Sequence, residues 1–297
     1  MALNEVGVMR GRYFWFIVVL TGLTVVGQPA TWAYRASDRP AKTSVEFQLY
    51  RDYLIVVQGS VGPLKGLNFL LDTGATTTVL DPQLARKLHL DTAPTDVAVL
   101  SGSVKGGIAT APSLQFGPVR KDNVRVLVEN LSFIQNALPF QIDAIVGLDV
   151  LGQSTFVIDY SSREIRFGPV RAMPDSIPLQ FKNGLAFVDA VVNHTTVRLL
   201  VDSAAPSLVI FDELPNPESG LKGEQPSPKR IGDYDRKRVQ QFSLRLGNVE
   251  FGQESAFVVP NLRDPGHDFD GLMSPAALGI SRIAVDLNQR TLAFERQ

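Results

Sequence analysis

An internal repeat limits the folds open to this chain. Asp72 in "FLLDTGATTTVL" is matched by Asp202 in "LLVDSAAPSLVI", 130 residues later. "LQFGPV" at Leu114 returns as "LRLGNV" at Leu244, again 130 residues later. "DAIVGLDVLG" from Asp143 returns as "DGLMSPAALG" from Asp270, and "FVIDYSSREIRF" from Phe156 as "IAVDLNQRTLAF" from Ile283, both at a spacing of 127. Segments recurring in fixed order mean one structural unit used twice. The expected units are copies at 45–170 and 171–297, preceded by a linker at 34–44 and a leader at 1–33.

Each copy reads as β structure. Short β-branched runs such as "YLIVVQGSV", "VRVLVEN", "FVDAVV" and "VRLLVD" are separated by Gly, Pro, Asn and Asp, the pattern of strands punctuated by turns. Short helices are expected at "DPQLARKL" and "SPAALG", where a capping residue is followed by proline. "LPNPESGLKGEQPSPKRIGDYDRKR" interrupts the second copy and reads as a solvated loop. The fold class is therefore all-β, with two pseudo-two-fold-related barrel lobes and a few short helices.

The leader differs from the rest. Arg10 and Arg12 precede the uncharged run "YFWFIVVLTGLTVVG", and "QPATWA" then offers small residues for cleavage near Ala33. That is the layout of a signal peptide. The uncharged stretch also approaches the ~20 residues of a spanning helix, so a membrane anchor through residues 13–33 is the second reading. Either way the remainder is expected beyond a membrane, periplasmic or secreted, or else anchored at its surface.

Composition removes several chemistries. The chain has no cysteine, so disulfides, thiolate metal sites and a cysteine nucleophile are excluded. His89, His194 and His267 lie apart, without the spacing of a metal site. No metal and no cofactor are expected. With 29 basic and 30 acidic residues the chain has no electrostatic footprint for nucleic acid.

The two aspartates are what the repeat is for. A pseudo-two-fold axis brings equivalent residues together, as an isologous interface does, so Asp72 and Asp202 should face each other. Two carboxylates held that closely cannot both ionise, and they share a proton. One can then accept a proton from water while the other donates to a carbonyl oxygen. The neighbouring hydroxyls, Thr73 and Ser203, can brace one turn against the other, and Gly74 admits close backbone approach.

On "DTGA" at Asp72 to Ala75, "IVG" at Ile145 to Gly147 and the strand "FVIDY", the chain resembles the aspartic protease clan. Within it the resemblance is to the retropepsin-like proteins of bacteria, fused here into one two-lobed chain as in pepsins. The resemblance implies catalytic roles for Asp72 and Asp202, a hydrogen-bond brace through Thr73, and packing of Gly147 under the active-site loop. It also implies a glycine-tipped flap, for which "LSGSVKGGIAT" supplies Gly102, Gly106 and Gly107. The second copy departs twice, with Ala204 and Ser274 where glycine is expected. A methyl there can crowd substrate or demand a positive φ that alanine dislikes.

The function expected is that of a monomeric aspartic endopeptidase acting on a peptide or protein substrate. The alternative is a weakened or inactive pseudoprotease of the cell envelope that binds peptides. Ala75 and Ala205 follow the motifs where acid-adapted enzymes often carry a hydroxyl donor, so an optimum around pH 5 to 7 is expected, an order-of-magnitude figure for a dyad lacking that donor.

Overall fold

In a computed structural model the described residues are 19–20, 43–99, 102–135, 138–170, 172–211, 238–259 and 268–296. The leader therefore lies outside the described residues apart from Val19–Leu20, which pairs antiparallel with Val99 and Ala98. The interrupting loop of the second copy lies outside them too, except Arg238.

The first lobe is a β-barrel. Its ring runs through Gly102–Phe116, Val119–Val128, Val79–Leu80, Ala144–Val146, Leu64–Leu71 and Leu54–Val61. It closes where Val61 pairs with Leu114. The second lobe repeats the ring through Arg238–Leu246, Val249–Val259, Leu208–Phe211, Gly271–Met273, Thr195–Val201 and Leu185–Val192. It closes where Val192 pairs with Leu244. Strand directions repeat as well. Ala144–Val146 lies parallel to Leu64–Leu71, and its counterpart Gly271–Met273 lies parallel to Thr195–Val201.

A six-stranded sheet joins the lobes. Ser44–Glu46, Phe156–Asp159 and Glu164–Phe167 come from the first copy, and Asp175–Pro178, Ile280–Asp286 and Thr291–Arg296 from the second. At its centre Phe156–Asp159 pairs antiparallel with the second-copy strand, Phe156 opposite Val285 and Asp159 opposite Arg282. Asp159 is buried and lies 3.4 Å from Arg282 Nε and 3.1 Å from Arg166 Nη2, so an ion pair crosses the boundary.

Alternation along the strands fills the interiors. Ile55, Val57, Phe69, Leu71, Leu114 and Phe116 point into the first barrel, and Val188, Leu199, Val201, Phe242 and Leu244 into the second. The main core is continuous through the central sheet by way of Phe156, Ile158, Ile283 and Val285. Burying each such side chain contributes about 1.5–3 kcal/mol, so neither lobe's strands stand without this interior.

Of the expected helices, Pro82–Lys87 forms, with Asp81 Oδ1 accepting from Gln83 N–H at 2.8 Å. "SPAALG" does not form a helix and is a run of turns. Leu278 N–H reaches Ser274 O at 3.3 Å, after which Gly279 takes φ +64 and ends the coil. The first-copy counterpart, Leu148–Leu151, does make a helical turn.

Candidate active site

Each aspartate directly follows a strand of its barrel, in the turn before the chain re-enters the same sheet at Val79–Leu80 and at Leu208–Phe211. Asp72 N–H bonds Val146 O at 3.0 Å, and Asp202 N–H bonds Met273 O at 3.0 Å. The strands beneath are wholly apolar, "FLL" and "LLV", and fix the height at which the carboxyls emerge. Both aspartates are fully buried.

The hydroxyls lock the two turns together. Thr73 Oγ1 donates to Val201 O at 2.7 Å and accepts from Ser203 N–H at 2.9 Å. Ser203 Oγ donates to Leu71 O at 3.2 Å and accepts from Thr73 N–H at 3.1 Å. A hydroxyl has one proton and two lone pairs, so it can serve a strand end and a turn amide at once. Thr and Ser each carry such a hydroxyl, so the brace is complete although the two copies differ here.

The carboxyls are held symmetrically. Gly74 N–H donates to Asp72 Oδ1 and Ala204 N–H to Asp202 Oδ1, both at 2.8 Å. The other oxygens, Asp72 Oδ2 and Asp202 Oδ2, are buried without a backbone or hydroxyl donor, which leaves the two carboxyls to hydrogen-bond each other through a shared proton. A Cβ added at Gly74 would stand 2.8 Å from Asp202 Cγ, 2.9 Å from Asp202 Oδ2 and 3.1 Å from Asp72 Oδ1. Both carboxyls thus crowd the space that glycine leaves open.

Burial raises both carboxyls, since a low dielectric disfavours the charged form. Asp72 lies well above the usual carboxylate range, first through desolvation and then through the negative charge of Asp202. Desolvation pushes Asp202 up to about 7, against the opposing donors Ala204 and Ala205 N–H. Such a pair titrates as a unit and holds a proton at mildly acidic pH.

The second-copy departures are accommodated. No positive φ occurs at Gly74, Gly147, Ala204 or Ser274, which removes the backbone objection to Ala204 and Ser274. Ala204 packs its methyl into the first lobe's apolar cluster with Leu70, Ala75 and Val79. Gly147 is required, because a Cβ there would meet Ala75 O at 2.7 Å. Ser274 is fully buried, and its Oγ accepts from Ala277 N–H at 3.4 Å. Ala75 and Ala205 are both completely buried, each in its own lobe's apolar cluster.

The flap glycines do something other than expected. Ala93–Val99 and Gly102–Phe116 form the hairpin, whose tip at 100–101 lies outside the described residues. Gly102 pairs with Val99, whereas Gly106 and Gly107 sit in the ladder opposite Thr95 and Pro94 without positive φ. Their small size serves packing, not turn geometry. A Cβ at Gly106 would meet Val97 Cγ2 at 2.8 Å, and one at Gly107 would meet Thr92 Cγ2 at 2.2 Å.

Asp143 and Asp270 anchor loops, accepting from Asn68 and Arg198 N–H, each at 2.8 Å. His89 and His194 are exposed turn residues with positive φ, and His267 lies outside the described residues. Among the described residues no group of three or more His, Cys, Asp or Glu is placed to hold a metal, and no helix is long and apolar enough to cross a membrane.

Some neighbours of the dyad were not legible as site residues. Tyr53 follows a tight turn with positive φ at Arg51 and Asp52. Its phenol is raised by burial, with Arg51 opposing and the charge of Asp202 adding. Thr78 and Asp149 hydrogen-bond beneath the first loop at 2.8 Å. Asp149 carried little signal: it stands inside a repeated segment, but its counterpart in the second copy is Ala276.

Comparison with curated proteins finds no match. Residues 57–150 match the family model described as aspartyl protease, a span that holds Asp72, Thr73, Gly74, the flap hairpin and Gly147. Over this span the first lobe is similar to the aspartyl protease family.

Proposed function

We propose that the protein is an aspartic endopeptidase in which Asp72 and Asp202, one from each lobe, activate a single water for attack on a peptide carbonyl. The observation that carries this reading is the pair of buried Oδ2 atoms, free of any backbone or hydroxyl donor, on carboxyls held alike by the turns of two braced lobes. With one proton on the pair, the ionised carboxylate takes a proton from water as the protonated partner hydrogen-bonds the carbonyl oxygen. The tetrahedral intermediate then collapses as a proton passes to the leaving amine. The substrate is a peptide or protein threaded beneath the hairpin Ala93–Phe116. No cofactor enters. The proposed setting is periplasmic or secreted, with residues 1–33 as signal or anchor, and the proposed working unit is the monomer.

Incubating the purified protein with a peptide library, with and without a statine-type inhibitor such as pepstatin, tests this. Inhibitor-sensitive cleavage that disappears in Asp72→Asn and in Asp202→Asn is the expected result. Binding of peptides without cleavage would favour the pseudoprotease. Loss on Asp72→Asn alone would replace the two-lobe dyad with a dimer of first lobes.

A further inference from the structure

The dyad is symmetric, but its supports are not. In the first lobe Thr78 is fully buried, and its hydroxyl donates to Asp149 Oδ1 at 2.8 Å. Because its one proton is committed there, its lone pairs face Gly147 N–H, which donates to Thr78 Oγ1 at 3.3 Å. Gly147 lies against Ala75 O, and the next amide, Leu148 N–H, bonds that same carbonyl at 2.8 Å. Lys121 closes the far end, donating from Nζ to Asp149 O at 2.7 Å. The chain of contacts runs from Lys121 and Asp149 through Thr78 and Gly147 to Ala75, inside the loop that carries Asp72.

At the repeat spacings of 130 and 127 the second lobe has Leu208 for Thr78, Phe251 for Lys121 and Ala276 for Asp149. Leu208 and Phe251 are buried in the core, and Ala276 packs against it. All three polar members are replaced by apolar ones. One aspartate's loop is held by directional hydrogen bonds, whereas the other's rests on packing, which tolerates adjustment.

We propose that Thr78 and Asp149 are positioning residues that fix the loop of Asp72 through Gly147, leaving the loop of Asp202 as the adaptable half of the site. Asp149 is half-buried, which suits an acceptor of this kind. Desolvation raises its carboxyl, while the Thr78 hydroxyl and then the charge of Lys121 favour its ionised form. Fully satisfied polar networks in low dielectric rigidify what they hold. This assignment rests on the endopeptidase reading for its kinetic consequence but not for its structural one.

The test uses the full chain with Thr78→Val, Thr78→Ser, Asp149→Asn, Asp149→Leu and the double variant Thr78→Val with Asp149→Leu. Thr78→Val and Asp149→Leu should each lower kcat by about tenfold or more with KM little changed, the scale of a misplaced catalytic group. The double variant should lose no more than either single change. Thr78→Ser restores the hydroxyl and Asp149→Asn keeps an acceptor, so both should stay within about threefold of wild type, as loss of charge alone leaves the bond in place. Amide hydrogen exchange gives a readout free of activity: Gly147 and Leu148 should lose protection in Thr78→Val, while Asp202 keeps its own. If the wild type cleaves nothing, the endopeptidase reading fails and exchange still decides the positioning role. Unchanged exchange at Gly147 and Leu148, a Thr78→Ser variant as impaired as Thr78→Val, or losses that multiply in the double variant would each overturn it. Where a disruptive variant does not fold, impairment of the folded Thr78→Ser or Asp149→Asn protein does the same.

Discussion

Thr73 and Ser203 exchange hydrogen bonds across the lobe boundary, each hydroxyl donating to a strand-end carbonyl of the opposite lobe and accepting the other's backbone N–H. Neither residue can be satisfied within its own lobe, so closure of the site and closure of the molecule are one event. Thr73→Val should leave Val201 O and Ser203 N–H unpaired in the interior, costing about 1–3 kcal/mol for each buried group left without a partner. Urea denaturation should show the loss. Ser203→Thr, which keeps the hydroxyl, should cost far less.

The dyad makes stability depend on pH with a definite sign. Both aspartates have folded-state values above their unfolded ones, so between about pH 4 and the folded values the native state binds more protons than the unfolded chain. Stability then falls as pH rises. The contribution of Asp202 is fully present below about pH 4, its unfolded value, and is lost as pH rises toward about 7. Replacing both aspartates with asparagine should flatten the slope over that window in thermal melts at stepped pH. A slope unchanged in the double variant would assign it to other groups.

Activity should follow the singly protonated pair. Its peak is expected around pH 5 to 7, an order-of-magnitude window for a dyad whose raised member still holds its proton. Above this range the shared proton leaves and cleavage should fall. A pH profile with its optimum below about 3.5 would show that some donor lowers the pair. Ala75→Ser probes the same point, since a hydroxyl that reached Asp72 would move the acid limb downward. The apolar surroundings of Ala75 make destabilisation the outcome if it does not reach.

Gly147 and Ser274 occupy equivalent places but should respond differently to substitution. A Cβ at Gly147 would press on Ala75 O at 2.7 Å and on Thr77 backbone at 3.1 Å. Backbone cannot rotate aside, so Gly147→Ala should cost about 1–3 kcal/mol and displace the loop of Asp72. Ser274→Gly in the second lobe should cost about 1 kcal/mol, mostly chain entropy. Denaturation midpoints and kcat for the two variants check the contrast, and equal effects would show that the lobes hold their loops alike.

The two-lobed all-β plan and the candidate dyad could be read along the chain. Both are written as repeats: order, spacing and alternation survive in the chain, and Asp72 and Asp202 stand at equivalent places in the copies. Thr73 and Gly74 were legible as neighbours of Asp72 in its turn, and Gly147 through the resemblance carried by "IVG". What the second-copy substitutions mean depends on how the folded lobes pack. Ala204 and Ser274 read as damage in one dimension, yet without positive φ and with room for their side chains they fit. Gly106 and Gly107 leave room for Val97 and Thr92, close approaches that no local pattern records. "SPAALG" carried the helix-start signal of "DPQLARKL", but its turns give way to Gly279 before a helix can propagate. Thr78 and Asp149 meet across 71 residues, and that pairing arises only when the barrel closes. Local chemistry and repetition are properties of the chain, whereas burial, approach distance and the partner of a polar group are properties of the packed interior.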